Sequence, residues 1–328
     1  MRRRILSVLC CPDCKHGLKL IEKDAVDGRI LNGTLECENC GKSFDIISEI
    51  PRMMVNLGDR EDLSESWGYQ WAIQAEGKLE TDTYYGETEE QEVNNFFRYF
   101  GITPGDLSGK TVLDAGCGCG RLTKALGKYG AEVIGIDIAS SIECIHRYCQ
   151  PENNVHIIQA DIVNLPFKNE SFDYVWSKLA VCYARNPEQA FGNLASLLKP
   201  SGKLFISVPD KADLSFVVKL KDLLRITHRI PRRLLLYLCW TFAPILALAK
   251  KITGNPASSI RANAFFLFNA LHPSFMTRHS KEEVKNWFHK LNFDEIAQVD
   301  GMPRLIHVRG TRRNNSSEIP FDTIISAS

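Results

Sequence analysis

From Lys110 onward the chain alternates short apolar runs with amphipathic stretches. "TVLDAG" (111–116), "AEVIGID" (131–137), "NVHIIQAD" (154–161), "FDYVWS" (172–177) and "GKLFISVP" (202–209) are each six to eight residues long and rich in Val, Ile and aromatic side chains. That is the pattern of strands buried on both faces. Between them, "GRLTKALGKYG" and "EQAFGNLASLLKPSG" carry the helical period. Strand and helix in regular alternation predict an α/β, doubly wound parallel sheet, which holds its ligands at the carboxyl ends of the strands where strand order reverses. "FDEIAQVD" and "RLIHVRG" close the pattern as a final pair.

Outside this segment the periods differ. "LKLIEKDAVDGRILNGTLEC" alternates apolar and polar positions around Gly28 and Gly33, which predicts a β-hairpin turning at those glycines. "ETEEQEVNNFFRYFG" predicts a helix with a Glu-rich first turn and an apolar face of Val93, Phe96, Phe97 and Phe100. After the fifth strand the alternation stops. "KADLSFVVKLKDLLRITHRIPRR" (211–233) has seven Lys or Arg against two Asp, and an uncharged run, "LLLYLCWTFAPILALA" (234–249), follows. A spanning helix needs about 20 apolar residues, so this run is short for one, and Pro244 is expected to break it. Two readings are open: helices forming a lid over the ligand cleft, or a basic helix and apolar hairpin making peripheral membrane contact through 211–251. These shifts divide the chain into residues 1–57, a helical linker at 58–108 that covers the cleft, an α/β domain at 109–310 with an insertion at 211–270, and a polar tail at 311–328.

Charge and cysteine content narrow the classes. Forty Lys and Arg nearly cancel 39 Asp and Glu in 328 residues, so no global field favours nucleic acid, and none is expected as a partner. "MRRRILSVLCCPDC" has only a short apolar run and no small-residue cleavage site, which predicts a cytoplasmic location. Eleven cysteines, an odd number, do not make a disulfide framework. Four of them do make a pattern: Cys11 and Cys14, then 22 residues, then Cys37 and Cys40. Paired C-x-x-C knuckles of this kind hold Zn2+ with four thiolates, and a closed four-sulfur site is structural. A segment of about 50 residues is near the limit for an independent core, so a metal would supply stability to a small N-terminal β zinc ribbon. Cys10 falls outside the pattern and is expected to be a small buried residue.

The first strand of the alternation ends in "DAGCGCGR" (114–121), with Gly116, Gly118 and Gly120 spaced G-x-G-x-G. A dinucleotide fingerprint needs G-x-G-x-x-G, and Arg121 stands at its last position, which weakens a dehydrogenase reading. "VLDAGCGCGRL" instead resembles the glycine-rich motif of class I S-adenosylmethionine-dependent methyltransferases, of the type 11, quinone-biosynthesis-like group. "VIGIDIA", "ADIVNLPF", "FDYVWSKLAVCY" and "LLKPSGKLFISVP" resemble that family's later motifs in order, over roughly residues 58–310. The resemblance implies a Rossmann-like seven-stranded sheet, S-adenosyl-L-methionine as methyl donor and a set of cofactor residues. Gly116 and Gly118 would let the backbone approach the methionyl part, Asp114 would face the ammonium or orient the loop, and Arg121 would meet the carboxylate. Asp137 would accept from both ribose hydroxyls, Ile138 would cover the adenine, Asp161 and Ile162 would read its amine edge, and Ser177 would stand at the end of the fourth strand. Each acid also has a local reading: Asp137 as a helix cap, Asp161 as a turn residue, Asp114 as a loop anchor.

"SWGYQW" (66–71) resembles a segment of methyltransferases that carry an N-terminal zinc ribbon, and the ribbon resembles the small zinc-binding activator of tRNA and protein methyltransferases. Trp67, Tyr69, Gln70 and Trp71 either fold over the cofactor cleft, shielding a sulfonium with their rings, or pack the ribbon on the core. His272 and His279 precede a helix with a capping box at Ser280 and Glu283; they are either general bases for an oxygen acceptor or purely structural. "SKLAVCY" stands where methylases of nucleic-acid bases carry an Asn-Pro-Pro-Tyr type loop. The expectation is a methyltransferase for a small-molecule or lipid-linked acceptor. The alternative is a non-catalytic cofactor-binding protein whose ribbon docks another protein.

Overall fold

The computed structural model describes residues 1–55, 57–79, 82–83, 86–150, 152–213, 227–252 and 259–314. At the N-terminus, β1 (Leu18–Val26), β2 (Arg29–Cys37), β3 (Ser43–Ile47) and β4 (Ile50–Pro51) form an antiparallel sheet in that order. The β1–β2 hairpin turns at Asp27 and Gly28, both with positive φ, the backbone that a two-residue turn between right-twisted strands requires. Gly33 does not turn the chain as expected. It lies inside β2, where an added Cβ would press on the Ile21 carbonyl oxygen beside a register shift in β1.

The larger sheet has seven strands: β5 (Thr111–Ala115), β6 (Glu132–Asp137), β7 (Val155–Gln159), β8 (Phe172–Lys178), β9 (Leu198–Pro209), β10 (Phe293–Gln298) and β11 (Leu305–Arg312). Their order is β10-β11-β9-β8-β5-β6-β7. β5 to β9 pair in parallel, and β11 enters antiparallel between β9 and β10. Chain order reverses between β5 and β8, so the crevice beyond their carboxyl ends is where a ligand belongs. The helices α3 (Arg121–Gly127), α4 (Ile142–Cys149), α5 (Pro187–Ser196) and α8 (Lys281–Lys290) connect the strands. α2 (Glu89–Phe100), capped by Thr88 and Gln91, buries Phe96 and Phe100 against Trp176 of β8. β11 continues to Arg312, two residues into the expected tail; residues 315–328 of that tail lie outside the described residues.

The ribbon docks on the β7 edge of this sheet. The Met53 N–H donates to the Gln159 carbonyl at 2.8 Å, and Cys10 N–H to the Pro166 carbonyl at 3.0 Å. Leu9, Cys11, Ile50 and Met53 share one apolar core with Ile158, Leu165 and Phe167. Cys10 is buried, as expected.

In the insertion, α6 (Arg232–Ile252) and α7 (Ile260–Leu271) pack side by side. The basic helix expected over 211–233 falls largely on residues 214–226, outside those described, as do 253–258. Pro244 does not break the apolar run: α6 continues through it for 21 residues, with Pro244 on the exposed side. By length and composition alone α6 is apolar enough to cross a bilayer.

Candidate cofactor cleft and metal centre

The site forms where β5 and β6 end. Gly116 and Gly118 have φ of 84° and 56°, a conformation side chains resist. A Cβ on Gly116 would collide with Ala180, and one on Gly118 would meet the Trp71 ring at 3.0 Å. The turn therefore brings bare backbone to the mouth of the crevice. Asp137, the last residue of β6, reaches back over it: Oδ2 accepts from Gly118 N–H and Oδ1 from Ala139 N–H, both at 2.9 Å. Burial pushes this carboxyl up to about 6, against the opposing effect of those N–H groups and of the Trp71 indole.

Asp137, Ile138, Asp161, Ile162 and Gly116 line one cleft, together with Arg60, Trp67, Trp71, Lys178 and Tyr183. Asp161 is paired with Arg60 at 2.7 Å, while its Oδ1 accepts from Val163 N–H at 3.0 Å, the bond of a turn residue. α1 (Glu61–Ala75) closes the cleft from above, with Trp67 stacked on Trp71 at 5.4 Å. These two rings face the cleft, while Tyr69 packs on Phe268 and Gln70 reaches Asn269, so α1 also carries the insertion helices. The cavity left is about 60 Å3, far below the roughly 300–1,000 Å3 of small-molecule sites. α1 must move outward to admit a nucleoside. A larger cavity of about 480 Å3 lies between ribbon and sheet, lined by Met1, His146 and His156, and contains none of the expected site residues.

On the other side of the glycine turn, Asp114 accepts from the Thr123 hydroxyl at 2.6 Å, which anchors the start of α3, and burial pushes its carboxyl up to about 7. Arg121, expected to meet a ligand carboxylate, instead forks onto Glu92 of α2 at 3.0 and 2.8 Å. Glu92 also binds Lys178 at 3.1 Å, and Lys178 binds Glu87 at 2.7 Å. Ser177 is fully buried and donates to the Ala115 carbonyl at 3.2 Å, bracing β8 on β5 rather than lining the cleft.

The two histidines separate. His279 has both ring nitrogens engaged, Nδ1 with Glu283 and Nε2 with Thr277, each at 2.8 Å. His272 lies edge-on to Trp67 at 4.6 Å, with Nδ1 at 2.6 Å from the Ser66 hydroxyl. Sequence reasoning passed over Arg60, Glu92 and Lys178. Lys178 leaves a signal in retrospect, a lone charge at the carboxyl end of an otherwise buried strand. Arg60 leaves none.

In the ribbon, Cys11 and Cys40 sulfurs are 3.7 Å apart, Cys14 and Cys37 sulfurs 3.3 Å, and all four lie within 4.8 Å of one another. A metal bound tetrahedrally by sulfur at about 2.3 Å needs sulfur separations of about 3.8 Å. The four side chains fit that requirement.

Residues 113–206 match the methyltransferase domain family model, and residues 2–47 match the Trm112p-like protein family model. The ubiquinone biosynthesis O-methyltransferase of Coxiella burnetii is 37% identical over 103 residues, covering 31% of this chain and 44% of that protein. The malonyl-[acyl-carrier protein] O-methyltransferase of Methylovorus sp. is 36% identical over 111 residues, covering 31% and 37%. The chain thus spans less than half the length of these curated relatives. Among solved structures, Haemonchus contortus phosphoethanolamine N-methyltransferase 2 in complex with S-adenosyl-L-methionine superposes with a TM-score of 0.53 at 15% identity, covering 80% of this chain and 62% of that one, a likeness of fold. The chain therefore carries, on a Rossmann-like seven-stranded sheet, a segment that matches the methyltransferase domain family behind one that matches the Trm112p-like protein family.

Proposed function

We propose that the chain transfers the sulfonium methyl of S-adenosylmethionine to an oxygen or carbon of a small-molecule or lipid-linked acceptor, leaving S-adenosylhomocysteine. The observation that carries this reading is the buried Asp137 carboxylate held over the bare Gly116–Gly118 backbone at the switch point of the sheet. Its oxygens hold the N–H groups of Gly118 and Ala139, and moving the Trp71 indole away would free acceptor capacity for a vicinal diol. The relatives' activities, O-methylation in ubiquinone biosynthesis and of a carrier-bound malonyl group, support an oxygen acceptor on a small or carrier-bound molecule.

When bound, adenosylmethionine supplies an electrophilic methyl on a positively charged sulfur. The protein's task is then alignment and exclusion of water. Asp137 fixes the ribose, Ile138 and Ile162 provide apolar walls for the base, and Asp161 accepts from its amine once Arg60 yields. Trp67 and Trp71 cover the sulfonium side and keep water out. Arg121 and Lys178 neutralise Glu92 and hold α2 and α3 against the glycine turn. His272 is the better placed of the two histidines to take an acceptor proton, because His279 has neither ring nitrogen to spare. In the ribbon, Cys11, Cys14, Cys37 and Cys40 would hold a structural Zn2+, a closed site with no position for substrate.

The test is methyl transfer from labelled adenosylmethionine to phenolic, carboxylate and quinol-lipid acceptors, followed as adenosylhomocysteine formed. Turnover with any one class is the expected result, and cofactor binding without turnover on any would favour the non-catalytic alternative.

A further inference from the structure

α6 presents two unlike faces. Leu235, Cys239 and Ala243, spaced four apart, are buried, the first two in one apolar cluster with Phe265 and Phe268 of α7. The opposite face is apolar and open: Leu234, Tyr237, Phe242, Ile245, Leu248 and Ile252 are 50 to 76% exposed. Such a stripe on a helix of about 31 Å is a contiguous apolar surface that a water-facing helix does not need. The charge of this stretch of sequence is equally one-sided. Residues 223–281 contain nine Lys or Arg and no Asp or Glu, in a chain whose net charge is +1, so the rest of the molecule is net negative. Arg229, Arg233 and Lys251 are exposed at the two ends of the stripe.

We propose that this face is a docking surface for an anionic lipid bilayer, with α6 lying in the interface and its apolar residues at the level of the headgroups and upper acyl chains. Charge complementarity selects this occupant over a second copy of the chain. A two-fold pairing through α6 would set Arg229, Arg233 and Lys251 against their own copies, like charges facing at both ends, while the nearby carboxylates of Asp62 and Glu65 are already engaged by Arg232. Anionic headgroups neutralise the same residues. The helix lies rather than spans because its other face is tied to the body. Arg232 pairs with Asp62 and Glu65 of α1, and α7 packs on α1 through Phe268 and His272. This arrangement sets the membrane one helix away from the cleft, since His272 at the end of α7 abuts Trp67. A lipid-linked acceptor would reach the cleft by that side. This last link rests on the methyltransferase reading, whereas the docking does not.

The test is flotation of the full chain with phosphatidylglycerol-rich and with pure phosphatidylcholine vesicles. Two variants accompany it: Tyr237→Ser/Ile245→Ser/Leu248→Ser, and Arg233→Glu/Lys251→Glu. The wild type is expected to float with the anionic vesicles and at least about ten-fold less with the neutral ones. The apolar variant is expected to lose roughly 100-fold in partitioning and the charge variant at least about ten-fold, with melting temperatures unchanged because all five side chains are exposed. Wild type that stays with the pellet in both cases would overturn the proposal, as would an apolar variant that floats like wild type. So would a wild-type dimer that the apolar variant converts to monomer without any vesicle binding. Calorimetric titration of the same samples with adenosylhomocysteine reads the cleft separately, so absent flotation with intact cofactor binding condemns the docking alone.

Discussion

The Arg60 guanidinium lies 2.7 Å from the Asp161 carboxylate, bridging the segment ahead of α1 to the loop after β7 and sealing the cleft where a base would be read. The pair is 14% and 5% exposed, so little water screens it. A nucleoside has to break it and to lift Trp71 from the glycine turn. Arg60→Ala should therefore speed cofactor association and tighten binding several-fold. Stopped-flow fluorescence of Trp67 and Trp71 would follow it; slower association would mean that Arg60 helps hold the ligand instead of barring it.

Asp114 makes stability depend on pH in an uncommon direction. Burial raises its carboxyl from an ordinary 3.8 to about 7, so the folded protein binds this proton more tightly than the unfolded chain does. Its contribution is fully present below pH 3.8 and lost as pH rises through 7. A shift of about three units corresponds to at most about 4 kcal/mol. Asp114→Asn should raise the melting temperature at pH 7.5 and flatten its decline between pH 4 and 7; thermal melts across that range check it.

Glu92 is the shared partner of Arg121 and Lys178, and all three are buried. Glu92→Gln takes the carboxylate from Arg121 and leaves Lys178 with Glu87 alone, and should cost about 3–5 kcal/mol in urea unfolding. A change under about 1 kcal/mol would show that water reaches the cluster.

The cysteines divide sharply. Cys11→Ser should release the metal, measured by elemental analysis, and weaken the ribbon's hold on the β7 edge, whereas Cys10→Ser should keep the metal. Because the Met53–Gln159 bond ties ribbon to sheet, Cys11→Ser is also expected to lower the melting temperature of the α/β domain.

His279→Asn should lower stability and leave the pH dependence of turnover in place, since the ring bridges Glu283 and Thr277. His272→Asn should change that dependence. The reverse result would exchange their roles.

What could be read from the sequence was whatever leaves a local or periodic trace. All seven strands of the large sheet, the glycine turn and the paired cysteines were visible because strand burial, positive φ and ligand spacing are properties of neighbouring residues. The Arg60–Asp161 pair and the Arg121–Glu92–Lys178 cluster were not, because they join segments tens of residues apart with no shared period. Arg121 shows the cost: its place in the loop points at a ligand, and only the packing of α2 reveals a carboxylate closer to hand. Pro244 misled for a different reason. A proline in mid-helix forfeits one hydrogen bond and strains one turn. On α6, Leu235 and Cys239 hold the helix on α7 ahead of the proline, and the Lys250 ammonium donates to Asn263 of α7 beyond it.

Asp137 is the residue on which cofactor binding turns. Calorimetric titration with adenosylhomocysteine should give one site per chain for the wild type, and Asp137→Ala should weaken it by about 100-fold without loss of fold. Absence of binding by the wild type, or equal binding by Asp137→Ala, would contradict it.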